Sequence, residues 1–132
     1  MIAVGAFEPF YLKVFRVDGE RMRAMLVELP YRKTPGLRTF LEGVRARTRP
    51  GDSIAIAAPY ATWQGGYDYV YARSTYVLSG RRVLPLRDPG SRPQPQSLGR
   101  AQFVAAYRMN APLPNFVPVW SGPDGMLLRR VK

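Results

Sequence analysis

The apolar positions fall into runs of different period. Residues 53–58 (SIAIAA) are continuously apolar and short, the mark of a strand covered on both faces. Just upstream, Leu37, Phe40, Leu41 and Val44 share one face of a 3.6-residue period, and Arg38, Glu42, Arg45 and Arg49 share the other. Glu42 is spaced to pair with Arg38 or Arg45. This pattern predicts a helix that starts at Thr34-Pro35, with Thr34 as its cap, and stops at Arg49-Pro50-Gly51. A second helix is expected over 67–79, with Val70, Ser74, Val77 and Leu78 turned inward, Asp68 in its first turn and Gly80 closing it. Residues 82–86 (RVLPL) read as a strand at or near an edge, because Pro85 has no N–H for a ladder. Residues 102–107, 116–120 and 126–131 read as strands, the last two around the hairpin turn Ser121-Gly122-Pro123-Asp124-Gly125. Near the start, residues 10–17 (FYLKVFRV) predict a strand ending in an Asp18-Gly19 turn. Residues 21–29 fit a hairpin arm or a helix, and their helix formers favour the helix.

A helix, a Pro-Gly-Asp turn and a buried strand make an αβ unit, so the pattern predicts an α/β fold. The expected form is a small layered sandwich with a central mixed sheet, two or three helices and a C-terminal β-hairpin. At 132 residues the chain reads as one domain. Its parts are an N-terminal strand with the ambiguous segment (1–28), an αβαβ core (29–86), a proline-rich loop expected to be mobile (87–99) and a strand with the hairpin (100–132).

Composition narrows the chemistry. The chain has no cysteine and no histidine. Thiolate nucleophiles, disulfides, Cys/His zinc sites and histidine bases are therefore excluded. Twenty basic residues against nine acidic give +11, which favours polyanions: nucleic acid, anionic lipid or phosphorylated small molecules. Only Lys13, Lys33 and Lys132 are lysines, and the rest are arginines, whose planar fork suits phosphate. An arginine excess with abundant Ala, Gly and Pro also follows from GC-rich coding, and that origin is slightly favoured. The densest groups are Arg45, Arg47 and Arg49, then Arg81 and Arg82, then Arg129, Arg130 and Lys132. The first two groups are the candidate phosphate or polyanion contacts. No stretch approaches the eighteen or so apolar residues of a membrane span, and no signal peptide is recognisable, so the chain reads as soluble.

The loop 59–66 is the other candidate site. Ligands of α/β sheets commonly bind beyond the carboxyl ends of the strands. There Tyr60, Trp63 and Tyr67 offer ring faces to a sugar or an unpaired base. Gly65 and Gly66, expected just before a helix, could bring backbone N–H groups to an anion, although loop flexibility explains the pair more simply. Tyr69, Arg73 and Tyr76 share a helix face that would set a guanidinium between rings. No dinucleotide or P-loop fingerprint, no nucleophile elbow and no catalytic carboxylate pair is legible, and Asp18-Gly19-Glu20 is explained by its turn. No catalytic residue, metal ligand or cofactor is proposed.

The stretch 29–132 resembles the domain that follows the last membrane helix of bacterial polytopic GT-C-type glycosyltransferase-like proteins. The resemblance lies in R-P-G-D (Arg49 to Asp52), W-x-G-G-Y (Trp63, Gly65, Gly66, Tyr67), Y-A-R-S-x-Y-x-L-x-G (Tyr71 to Gly80), R-V-L-P-L (Arg82 to Leu86) and the ending FVPVWSGPDGMLLRRVK. It implies a non-catalytic accessory domain on the extracytoplasmic face, contacting an anionic lipid or a lipid-phosphate-linked sugar. The family's catalytic carboxylate lies between membrane helices, so the resemblance transfers no catalytic residue. Two other readings stand beside it: a cytoplasmic nucleic-acid-binding protein using the same arginines, and a small enzyme acting on a phosphorylated substrate at residues 59–67.

Overall fold

The computed structural model describes residues 34–110 and 113–131. The strand, turn and ambiguous segment expected within residues 10–29 lie outside them. The described chain is α/β: a five-stranded mixed sheet, three helices and a C-terminal hairpin.

The first helix, α1 (Leu37–Ala46), buries Leu37, Phe40, Leu41 and Val44, the stripe read from the sequence. Its start differs from the expectation. Thr34 and Pro35 lie in a preceding turn, and Gly36 is the N-cap at φ 72°. Gly36 suits this left-handed conformation because it has no Cβ, and one there would also force the Asp124 carboxylate to move. Strand β1 (Ser53–Ala57) is buried along its whole length. It lies between two parallel neighbours, β2 (Arg82–Pro85) and β3 (Phe103–Tyr107). Strands β4 (Phe116–Gly122) and β5 (Gly125–Arg130) form the hairpin, and β5 pairs antiparallel with β3. The order is β2-β1-β3-β5-β4, which places β2 at an edge, as Pro85 predicted.

This order fixes the layers. The chain leaves β1 for β2 on one side and returns past β1 to β3 on the other. Right-handed crossovers therefore put the two connecting helices on opposite faces. The first connection carries one π-helical turn (Trp63–Tyr67) running into α2 (Asp68–Val77). With α1, it covers the face of Ile54, Ile56, Ala105 and Leu127. The second connection carries α3 (Pro95–Arg100), beside the face of Ala55, Val104, Ala106 and Leu128.

Residues 87–99 are thus not a loop throughout. Arg87 pairs with Pro93 in an isolated bridge, and α3 begins at Pro95. Asp88 organises the turn between them. Its carboxylate accepts from the backbone N–H groups of Gly90 and Arg92, both at 2.9 Å, and from the side chains of Arg92 and Gln94, both at 3.1 Å. These donors, the Arg92 N–H foremost, hold its pKa below the usual carboxylate value. Among the described residues no helix is long and apolar enough to cross a membrane.

Candidate functional site

The two candidate regions lie at opposite ends of the sheet, and the structure treats them differently. At the carboxyl end of β1, the aromatic side chains close the space where a ligand would enter. Tyr60 and Tyr67 are each 1% exposed. The Tyr67 hydroxyl donates to the Ile56 carbonyl and accepts from the Leu86 N–H, both at 2.7 Å. It thereby bridges β1 and the end of β2 where their ladder stops. Tyr107, fully buried on β3, donates to the Pro35 carbonyl at 2.6 Å. Burial pushes the pKa of all three tyrosines up, so each stays protonated at neutral pH. Tyr60 and Tyr67 therefore offer no ring face to a ligand.

Trp63 is half-buried. It packs on Tyr67 and Tyr71, with ring centroids 5.8 and 5.9 Å away. Its backbone N–H donates to Ser91 Oγ at 2.8 Å, which docks residues 87–93 onto this end. Gly65 and Gly66 do not precede a free helix start. They lie inside the π-helical turn, and the Asp68 N–H closes it on the Trp63 carbonyl. Gly66 is held at φ 140°, and a Cβ there would lie 2.6 Å from the Tyr60 ring. Packing, then, accounts for this glycine. On the outer face of α2 the Arg73 guanidinium sits 5.5 Å from the Tyr76 ring centroid.

The arginines play two parts, tying helix ends and lining a cleft, and Arg130 takes both. Arg45 and Arg81 are structural ties. Arg45 Nη1 donates to the carbonyls of Val77 and Ser79, at 2.9 and 3.3 Å. Arg81 Nη2 donates to the carbonyls of Arg45 and Thr48, at 3.1 and 2.8 Å. Its Nε donates to Thr48 Oγ1 at 3.0 Å, and its Nη1 to the Ser79 carbonyl at 3.2 Å. Arg45, on α1, thus caps the carboxyl end of α2, and Arg81, in the turn after α2, caps that of α1, where the dipole favours a cation. Burial first, and the Arg45 charge second, lower the Arg81 pKa, with Asp52 opposing. Arg130 does the same for α3, through Nε to the Ala101 carbonyl at 2.9 Å and Nη2 to the Leu98 carbonyl.

The open cleft, of about 660 Å³, lies at the amino end of β1 and β3. The turn leaving α1 contributes Arg47, Arg49 and Asp52, and the end of β5 contributes Arg129, Arg130 and Val131. Gln102, Phe103 and Val119 of β4 complete the lining. Four arginines and one aspartate leave a lining charge of +3 (4 − 1). The Asp52 carboxylate already accepts the Arg49 backbone N–H at 2.8 Å. Arg47 lies 4.5 Å from the Trp120 ring centroid and uses Nη1 on the Gly43 carbonyl. Arg130 lies 4.7 Å from the Phe116 ring centroid. The side chains of Arg49 and Arg129 are exposed, with no hydrogen-bond or ion-pair partner among the described residues. Gln102 fixes its Oε1 on Ser53 N–H (2.9 Å) and Oγ (3.2 Å), leaving its NH₂ as a further donor.

Of the expected contacts, then, the structure brings Arg47 and Arg49 together with Arg129 and Arg130. It commits Arg45 and Arg81 to helix ends, and it leaves Arg82 exposed on β2, outside the cleft. The link that sequence reading missed is non-local. Alternation along β5 shows that Leu127 and Arg129 share a face, but nothing in the chain states that Arg129 pairs with Phe103. Comparison with family models, curated proteins and solved structures finds no match.

Proposed function

We propose that this domain is a binding module for a phosphorylated ligand, held in the arginine cleft. The reading is carried by Arg49 and Arg129, two exposed guanidinium groups in the lining of one cleft, with no partner among the described residues. Arginine forks pair with phosphate oxygens bidentately, and the Gln102 NH₂ adds a neutral donor. Arg47 is held against Trp120 and Arg130 against Phe116, so both add charge from fixed positions. The ligand class that fits best is a lipid-phosphate-linked sugar, because Phe103, Val119 and Val131 set apolar surface beside the arginines. This agrees with an accessory role in a membrane glycosyltransferase-like system, the role implied by the sequence resemblance.

The test is calorimetric titration at physiological salt with pyrophosphate, a water-soluble short-chain prenyl phosphate and a single-stranded oligonucleotide. The prenyl phosphate should bind more tightly than pyrophosphate. Arg49→Gln and Arg129→Gln should each weaken binding about tenfold, the loss of one partly exposed charge-assisted contact. Equal affinity in the Arg49→Gln/Arg129→Gln protein would refute the cleft as the site. Binding of the oligonucleotide alone would replace this reading with nucleic-acid recognition.

A further inference from the structure

Four large hydrophobic side chains are exposed among the described residues, and three of them, Val117, Val119 and Val131, lie together. They are 39%, 44% and 50% exposed. Val117 stands directly across from Arg129 in the β4–β5 ladder, and the Val131 N–H bonds the Asn115 carbonyl at 2.9 Å, two residues from Val117. Val119 falls at the irregularity between Pro118 and Trp120, where the register shifts. The valines are exposed because α1 ends at Ala46: its side chains reach as far as Trp120, stacked on Phe40 at 5.8 Å.

An aliphatic cluster rimmed by arginines matches one kind of surface in particular. A protein interface core is depleted in charge and enriched in aromatic anchors. The interfacial zone of an anionic bilayer instead takes aliphatic side chains into its headgroup boundary and attracts cations flanking them. We infer that the edge formed by Val117, Val119 and Val131 docks on an anionic membrane, with Arg49 and Arg129 against its headgroups. This builds on the cleft reading, since docking in this pose opens the cleft at the membrane surface. Arginine stems also lie well along such a boundary while their heads stay in the polar layer.

The absence of cysteine makes the test direct. A single cysteine carrying an environment-sensitive fluorophore is placed at position 117, and in a second protein at Ala72, exposed on α2. Both are mixed with vesicles of phosphatidylcholine, with and without phosphatidylglycerol, at physiological salt. The inference expects a blue shift and a several-fold gain in emission at 117, none at 72, and only with phosphatidylglycerol. A similar change at both positions, or pelleting with vesicles without a change at 117, means charge-driven adsorption and overturns the pose, as does no association at all. Unlabelled Val117→Ser keeps the fold question separate. It should lose vesicle retention about fivefold while binding pyrophosphate as the parent does, because Val117 lies outside the cleft lining. Loss of pyrophosphate binding in Arg49→Gln/Arg129→Gln tests the cleft reading independently of any vesicle.

Discussion

Replacing Arg81 with methionine keeps the length and apolar stem of the side chain and removes its guanidinium. The native group makes four hydrogen bonds, at 2.8 to 3.2 Å. It donates three of them to backbone carbonyls near the ends of α1 and α2, and the fourth to the buried Thr48 hydroxyl. A neutral hydrogen bond contributes about 0.5–1.5 kcal/mol net and one from a charged group more, but solvent screens the charge at this exposed site. The freed carbonyls lie near the surface and regain water, which puts each at the low end and the sum at ~2 kcal/mol. A cation at a helix carboxyl end contributes about 0.3–1 kcal/mol, offset here by repulsion from Arg45, so the sum stands. With a urea slope of about 2 kcal/mol per molar, the midpoint of unfolding should fall by about 1 M. Arg49→Gln removes the same formal charge from a side chain with no partner among the described residues, and should move the midpoint by less than about 0.3 M. Equal shifts in the two variants would refute the division of the arginines into ties and ligand contacts.

Three further outcomes follow from the closed end of the sheet. Tyr67→Phe leaves the buried Leu86 N–H and Ile56 carbonyl without their shared partner, at a cost of about 1–3 kcal/mol in urea unfolding; under ~0.5 kcal/mol would mean that water replaces the hydroxyl. Gly66→Ala combines φ 140° with a Cβ 2.6 Å from the Tyr60 ring, and should cost more than about 2 kcal/mol by the same assay, with unchanged stability contradicting the close packing. Burial raises the folded pKa of Tyr60, Tyr67 and Tyr107 above the ordinary 10.0, so above that pH the unfolded chain binds fewer protons and stability falls as pH rises. Unfolding midpoints should hold steady below about pH 9.5 and drop beyond 10, with a limiting slope of about 4 kcal/mol per pH unit for three such groups; ionisation of these tyrosines near pH 10, seen by absorbance in still-folded protein, would contradict it.

Local periodicity made most of the fold legible. The α1 stripe, the buried β1 and the hairpin were each readable because a helix face or a covered strand leaves its own repeat in the chain. The start of α1 was less so: Thr34-Pro35 is a sound helix start, but the Asp124 carboxylate, brought in from the hairpin, favours Gly36 as cap. The short α3 was hidden by Pro95, a loop signal that is equally at home in a first helical turn. For the site, residue type was a poor guide to role. Tyr60 and Tyr67 have the right chemistry for stacking, and only the packed sheet shows their rings enclosed. Arg45, Arg47 and Arg49 look alike in sequence, yet Arg45, still on α1, reaches the end of α2, while Arg47 and Arg49, in the turn beyond the helix, line the cleft.

The tie between the two helix ends has a consequence for entropy. Thr48 stands between Arg47 and Arg49. Its hydroxyl donates to the Val44 carbonyl at 3.0 Å and accepts from Arg81, which also holds its carbonyl. The backbone that presents two cleft arginines is therefore preorganised, and an incoming anion need not order it. Loosening this wall through Arg81 should leave the enthalpy of anion binding nearly unchanged and make its entropy less favourable. An arginine that never meets the ligand would then govern affinity through the freedom it denies its neighbours.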